Sequence, residues 1–189
     1  MKKIAIFASG SGTNFEALVQ ACEDKRIDAK VVLMVCDHKD AYVCKRAINH
    51  NVDSFIFKAK DYKSKESYET EIVNKLKEYN VDLICLAGYM RICGKVLLDN
   101  YEGKILNIHP ALLPAFKGAH AIHDAYMYGV KVFGVTIHYI DSEMDCGTIV
   151  AQKSFDYVEG ETEDQVEKRI HALEHELYPQ VVAKICQGE

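Results

Sequence analysis

Proline is scarce in this chain. Only Pro110, Pro114 and Pro179 occur among 189 residues, so there is no proline-rich linker, and no repeat or low-complexity stretch divides the chain. No apolar run approaches the roughly 20 residues that cross a bilayer, so no membrane partner is expected. Positive charge is also in deficit. The chain has 23 Lys and Arg against 28 Asp and Glu, a net charge of −5, which argues against a nucleic-acid partner because that needs a basic surface. A small anion is still allowed, since it needs only a local positive field. The seven cysteines are odd in number and form no C-x-x-C pair, and Cys36 and Cys85 lie inside apolar runs. Such a pattern suits buried free thiols in a reducing compartment, so a cytoplasmic protein without a disulfide framework or a metal is expected.

What is present is ordinary for a globular protein: 49% hydrophobic and 27% charged residues, at a length that suits one domain over 1–189. The opening Met1–Phe7 has a basic start, but its apolar run is too short for a signal peptide and reads as a strand. Strands are expected at Lys3–Ala8, Val31–Cys36, Ser54–Phe57, Leu83–Ala87 and Ile105–Ile108. Helices are expected at Thr13–Cys22, Ala41–Asn49 and Ser64–Tyr79, the last with Tyr68, Ile72, Val73, Leu76 and Tyr79 on one face. The strands lack alternation, which implies a parallel sheet covered on both faces. Beyond residue 130, Val132–Ile140 and Thr148–Phe155 are close enough to pair antiparallel. A capping box at Thr162–Gln165 opens the last helix, and Pro179 predicts a kink or break within it. The fold class is therefore α/β: a Rossmann-like, mostly parallel sheet with helices on both faces and a mixed C-terminal part.

Two segments and one loop carry chemistry. Ala8-Ser9-Gly10-Ser11-Gly12-Thr13-Asn14 joins a strand to a helix, where free N–H groups and the helix dipole suit a phosphate. Phe15 replaces the third glycine of a dinucleotide fingerprint, and no Gly-Lys-Ser/Thr follows, so a phosphate here is gripped rather than transferred. The plain alternative is a turn capped by Thr13 or Asn14. Asn107-Ile108-His109-Pro110 ends a strand, and residues two apart face the same side. Asn107 supplies a donor for an oxyanion, and His109 exchanges protons near neutrality. The alternative is that both satisfy backbone groups at the strand end. In the acidic loop Ile140–Gly147, Asp145 is the candidate carboxylate to favour a charged His109. Asp141 and Glu143 read as solvated, and His138, in a β-like run, reads as structural.

Taken together and in order, Ser9–Asn14, Leu86–Ile92, Asn107–Pro114, Phe116-Lys117-Gly118, Gly134–His138, Asp145-Cys146-Gly147 and Glu174–Pro179 resemble the folate-dependent phosphoribosylglycinamide formyltransferases over nearly the whole chain. The resemblance implies formyl transfer from 10-formyltetrahydrofolate, as co-substrate, to the amine of glycinamide ribonucleotide in purine biosynthesis, without a metal. It implies catalytic roles for Asn107, His109 and Asp145. It implies ribonucleotide contacts at Gly12, Thr13 and Asn14 and at His171, Ala172, Leu173 and Glu174. It implies folate contacts at Lys65, Met90, Arg91, Ile92, Cys93, Asn107, Ile140, Asp141, Ser142, Glu143 and Met144. Lys65 stands where the family often has arginine, keeping the charge but not the planar fork. His120 matches a histidine near the family site, whereas Ile122 and Thr148 replace a common histidine and proline. A cis peptide is implied at Leu113-Pro114. Related activities use water or a formyl-accepting tRNA, usually with an extra domain that is not expected here, and a non-catalytic sugar-phosphate binder is the reading from another class. Monomer and homodimer are both compatible with the sequence.

Overall fold

The structure is a computed structural model that describes residues 1–188. Seven strands form one sheet: β1 (Lys2–Ala8), β2 (Ala29–Cys36), β3 (Ser54–Ile56), β4 (Leu83–Leu86), β5 (Ile105–His109), β6 (Val132–Tyr139) and β7 (Ile149–Asp156). Their order is β3-β2-β1-β4-β5-β6-β7. The pairs among β1 to β5 are parallel, while β5–β6 and β6–β7 are antiparallel. Among the described residues, six α-helices connect or flank the strands: α1 (Thr13–Glu23), α2 (Tyr42–Asn49), α3 (Lys65–Glu78), α4 (Lys95–Asn100), α5 (Ala121–Tyr128) and α6 (Glu163–Gln187).

The unbroken apolar strands follow from burial on both faces. In β1, Ile4, Ile6 and Ala8 join a core shared with α1, α2 and α6, while Ala5 and Phe7 point into a second core with α3 and α4. With apolar residues wanted on both sides, alternation disappears. The chain reverses its winding between β1 and β4, so the loops that leave these two strands open a crevice at the carboxyl edge of the sheet, the place where open α/β sheets bind ligands.

Three local features differ from the sequence expectations or add to them. Helix α6 runs unbroken from Glu163 to Gln187 through Pro179. Proline removes one N–H donor to the carbonyl four residues back, but Leu177, Tyr178, Val181 and Val182 on either side are all buried. The Tyr178 hydroxyl also donates to the Leu86 and Leu106 carbonyls at 3.0 and 3.3 Å. Tertiary anchoring carries the helix across the gap. The cap of α1 is neither Thr13 nor Asn14 but Gly12, in the left-handed region at φ 75° with no side-chain capping bond. The short helices α4 and α5 add to the expectations: α4 has only six residues, and α5 buries only Ala121 and Ala125, so neither carries a readable apolar stripe. The Leu113-Pro114 peptide is cis, as expected.

Candidate active site

A cleft of about 460 Å3 opens at the winding reversal. Its floor is built by the end of β5, beside which β6 pairs. Antiparallel pairing sets Asn107 opposite His138 and His109 opposite Thr136. The Asn107 amide donates to His138 Nε2 at 3.3 Å. His138 Nδ1 donates to the Tyr139 carbonyl at 2.9 Å, which fixes the tautomer with Nε2 as acceptor. Burial pushes the His138 pKa down, so the ring stays neutral and holds Asn107 in place.

His109 is 4% exposed, and its Nε2 donates to the Phe116 carbonyl at 2.8 Å. That leaves Nδ1 for chemistry. It lies 3.6 Å from Asp145 Oδ2, while His138 Nε2 lies 3.7 Å from Asp145 Oδ1. Both gaps exceed hydrogen-bond length, so the carboxylate acts on the rings through its field. The Gly118 N–H donates to Asp145 Oδ2 at 2.9 Å and orients it. Asp145 takes φ 53°, a left-handed conformation that aspartate tolerates. Gly147 follows because a Cβ there would fall 1.7 Å from the Tyr139 carbonyl oxygen.

The turn after His109 is pinned by Thr136. Its hydroxyl donates to the Ala111 carbonyl at 2.7 Å and accepts from the Leu113 N–H at 3.0 Å. At one end of the cleft lies the loop Gly10–Asn14, braced by Arg46 Nε donating to the Ser11 carbonyl at 2.8 Å and by the Val43 N–H donating to the Gly10 carbonyl at 3.1 Å. Here Asn14 donates to Glu174 Oε2 at 3.2 Å, and the same oxygen meets His171 Nδ1 at 2.9 Å. The Glu174 hydrogen bond raises the His171 pKa and favours a cation beside the loop. Asn14 Oδ1 is buried without a partner among the described residues, an acceptor available to a ligand hydroxyl or amine.

At the other end, Met90, Arg91, Ile92 and Cys93 face Ile140, Asp141, Glu143 and Met144. Met90, Ile92 and Met144 are more than half exposed, an apolar lip of the kind that buries a flat ring system. Arg91 Nε donates to the buried Asp37 carboxylate at 2.8 Å, and the Met90 N–H donates to Ser9 Oγ at 2.9 Å. The buried Glu69 accepts from the Gly94 N–H at 2.6 Å and holds the far side of this loop. Among the described residues, no group of three or more His, Cys, Asp or Glu side chains is arranged to hold a metal ion.

The cleft thus gathers Asn107, His109, Asp145, Gly12, Thr13, Asn14, His171 and Glu174 with most of the expected folate positions. It leaves out five. Ala172 is exposed and Leu173 is buried in the core, because only His171 and Glu174, three apart on α6, share the cleft-facing side. Ser142 lies outside the lining, as does His120, which caps α5. Lys65, the first residue of α3, packs beside Gly94 and Glu69, behind the loop rather than in it. His138, read from sequence as structural, is buried beneath the cleft, where it holds Asn107. Its position two residues after Thr136 gave no signal until the register of β5 against β6 was known.

Two predictions arise from the phosphate loop. A Cβ on Gly12 would fall 2.5 Å from Val43 Cγ2, at a φ that L side chains avoid. Gly12→Ala is therefore expected to cost about 1–3 kcal/mol of stability, from strain and overpacking together, and to weaken binding of a phosphorylated ligand. Urea unfolding and phosphate-competition titration check this. His50 lies between Glu16 and Glu23, at 2.9 and 2.8 Å, and Glu16 also pairs with the brace residue Arg46. Its bond to Glu16, foremost, raises the His50 pKa above 6.5. A raised histidine pKa stabilises the fold fully below the unfolded value, and that stability is lost as pH rises through the folded value. His50→Gln is accordingly expected to lower stability by about 0.5–1 kcal/mol in acid and by nothing in mild alkali, as urea midpoints at the two pH values will show.

A profile described as formyl transferase matches residues 2–182. The chain belongs to the formyl transferase family. Within that family it is 48% identical over 185 residues to the phosphoribosylglycinamide formyltransferase of Bacillus subtilis (strain 168), covering 98% of this chain and 95% of that one. It is 35% identical to the trifunctional purine biosynthetic protein adenosine-3 of Drosophila melanogaster, over 99% of this chain but 14% of that relative. Among solved structures it superposes on glycinamide ribonucleotide transformylase 1 from Geobacillus kaustophilus with a TM-score of 0.96 at 52% identity, covering 98% of this chain and 99% of that one. The seven-stranded, mostly parallel sheet with its antiparallel C-terminal part is thus the formyltransferase fold.

Proposed function

We propose that this formyltransferase moves a formyl group from 10-formyltetrahydrofolate to the amine of 5'-phosphoribosylglycinamide, yielding N-formylglycinamide ribonucleotide and tetrahydrofolate in purine biosynthesis, and that one domain over 1–189 does so. The observation that carries the reading is a buried polar floor lying between an anion loop and an apolar-lipped pocket. The ribonucleotide phosphate sits on the Gly12–Asn14 turn and near His171, while Glu174 and Asn14 meet its polar middle. The folate ring enters between Met90–Cys93 and Ile140–Met144.

The steps follow from these positions. The amine lone pair attacks the formyl carbon and a C–N bond forms, putting negative charge on the formyl oxygen. Asn107 donates one amide hydrogen to His138 and offers the other to that oxygen. His109 Nε2 is committed to Phe116, so the second donor is a proton on Nδ1, which the Asp145 carboxylate attracts and stabilises. Collapse of the adduct breaks the bond to folate N10. The amine's surplus proton, handed on by water, ends on N10, and the chemistry balances with no metal. Gripping the unreactive phosphate holds the amine within reach of the formyl carbon.

The test is the initial rate of tetrahydrofolate release from 10-formyltetrahydrofolate with and without the ribonucleotide. Release that requires the ribonucleotide is expected. Equal release without it would make water the acceptor and overturn the proposal.

A further inference from the structure

Asp37 has no part in the chemistry described above, yet its carboxylate is buried, with the side chain 1% exposed. Its place follows from the sheet. Ala8, the last residue of β1, lies opposite Cys36, the last of β2, so Ser9 and Asp37 leave the sheet side by side. On the other flank of β1, β4 ends with Leu86 opposite Phe7 and leads on to the Met90–Cys93 lip. Both Ser9 and Asp37 reach that segment. The Ser9 N–H donates to the Gly88 carbonyl at 3.1 Å, and Ser9 Oγ accepts from the Met90 N–H at 2.9 Å. Asp37 Oδ2 accepts from Arg91 Nε at 2.8 Å. Asp37 Oδ1 meets His38 Nδ1 at 2.9 Å, and the Cys36 thiol donates to the His38 carbonyl at 3.2 Å to close the turn. Burial pushes the Asp37 pKa up, but bonds from Ser9 and His38 and the charge of Arg91 outweigh it and hold the carboxyl below its usual range.

Asp37 does not line the cleft, whereas Arg91 does. The Arg91 guanidinium is held from two sides, by the carboxylate and by the Tyr68 ring, whose centre lies 5.8 Å away. Two consecutive residues of the lip are thus pinned from outside the cleft, Met90 by its backbone and Arg91 by its side chain. The residue that pins Met90 is also the one that opens the turn into the phosphate loop. A lip already fixed in one conformation loses no further freedom when a ligand enters, and that saving appears as affinity.

We infer that Asp37 is a positioning residue for the folate: from outside the cleft it fixes the Met90–Cys93 lip through Arg91, beside the bond by which Ser9 joins that lip to the phosphate loop. The inference rests on the folate reading above. Removing the carboxylate frees the Arg91 side chain and the backbone that carries it, and re-ordering about one residue on binding costs about tenfold in affinity. The loss falls equally on ground and transition states, so KM for the folate rises while kcat holds. Arg91, a third exposed, reaches water once its partner is gone, so Asp37→Ala strands no buried charge.

The test measures tetrahydrofolate binding by calorimetry, which needs no turnover, alongside steady-state kinetics. Asp37→Ala is expected to raise the Kd for tetrahydrofolate and the KM for 10-formyltetrahydrofolate about tenfold each, with kcat within about twofold of wild type. Asp37→Asn, which keeps the volume and one acceptor for Arg91, is expected to lie between the two, at about threefold. In an Arg91→Met background, Asp37→Ala is expected to add less than about twofold, because the carboxylate acts through the guanidinium. A general loosening of the fold would instead add its full factor there. A folded Asp37→Ala protein with wild-type Kd, a full tenfold loss in the Arg91→Met background, or a fall in kcat at constant KM overturns the inference. Should Asp37→Ala not fold, wild-type Kd in Asp37→Asn overturns it equally. A wild-type protein that binds no tetrahydrofolate would overturn the folate reading itself, so the two failures read differently.

Discussion

Replacing His109 with alanine is expected to lower kcat by about a thousandfold, at the upper end of what losing one preorganised oxyanion donor costs. The ring has no slack. It is 4% exposed, its Nε2 is fixed on the Phe116 carbonyl, and only Nδ1 faces the Asp145 carboxylate. Water entering the vacated space would neither carry the charge nor hold position. Because the phosphate loop and the Met90–Cys93 lip are untouched, KM for both substrates is expected to change by less than about threefold, the signature of an interaction made only in the transition state. Steady-state kinetics with a thermal-unfolding control check this. A folded variant that keeps kcat within tenfold of wild type would remove His109 from the mechanism.

Asp145→Asn is expected to lower kcat about a hundredfold near neutral pH, the lower range for a group that supports proton placement in a transition state. The substitution preserves shape, and the amide oxygen still accepts from Gly118 N–H, which now bonds the carboxylate at 2.9 Å. What disappears is the negative charge 3.6 Å from His109 Nδ1. Steady-state kinetics of both proteins with a thermal-unfolding control check this, and a folded variant that keeps the wild-type kcat would mean that the carboxylate does not act on the imidazole.

Asn107 and His109 were legible because the determinants are local. A five-residue apolar strand followed by proline fixes both residues on one side at a strand end. The anion loop was legible for the same reason, one strand and one helix meeting at glycines. His138 was not, because its place beneath the cleft depends on the antiparallel register that sets it opposite Asn107 across 31 residues of sequence. Ala172, Leu173 and Lys65 were assigned by likeness of segment, and a segment is not a face. On α6 only one side meets the cleft, and at the start of α3 the lysine is turned toward Gly94. Of the kink or break that Pro179 implies, the break does not occur, for the opposite reason. The local rule for proline is sound, but wholly buried Tyr178 and Val182 hold the helix to the sheet.

The roles given to Asn107, His109 and Asp145 matter only if the carbon moves as described. The direct measurement follows an isotopically labelled formyl carbon from 10-formyltetrahydrofolate by mass spectrometry, with glycinamide ribonucleotide present. The account predicts one label in the ribonucleotide amide for each tetrahydrofolate released, and none in free formate. Label accumulating as formate, with the ribonucleotide unchanged, would contradict it.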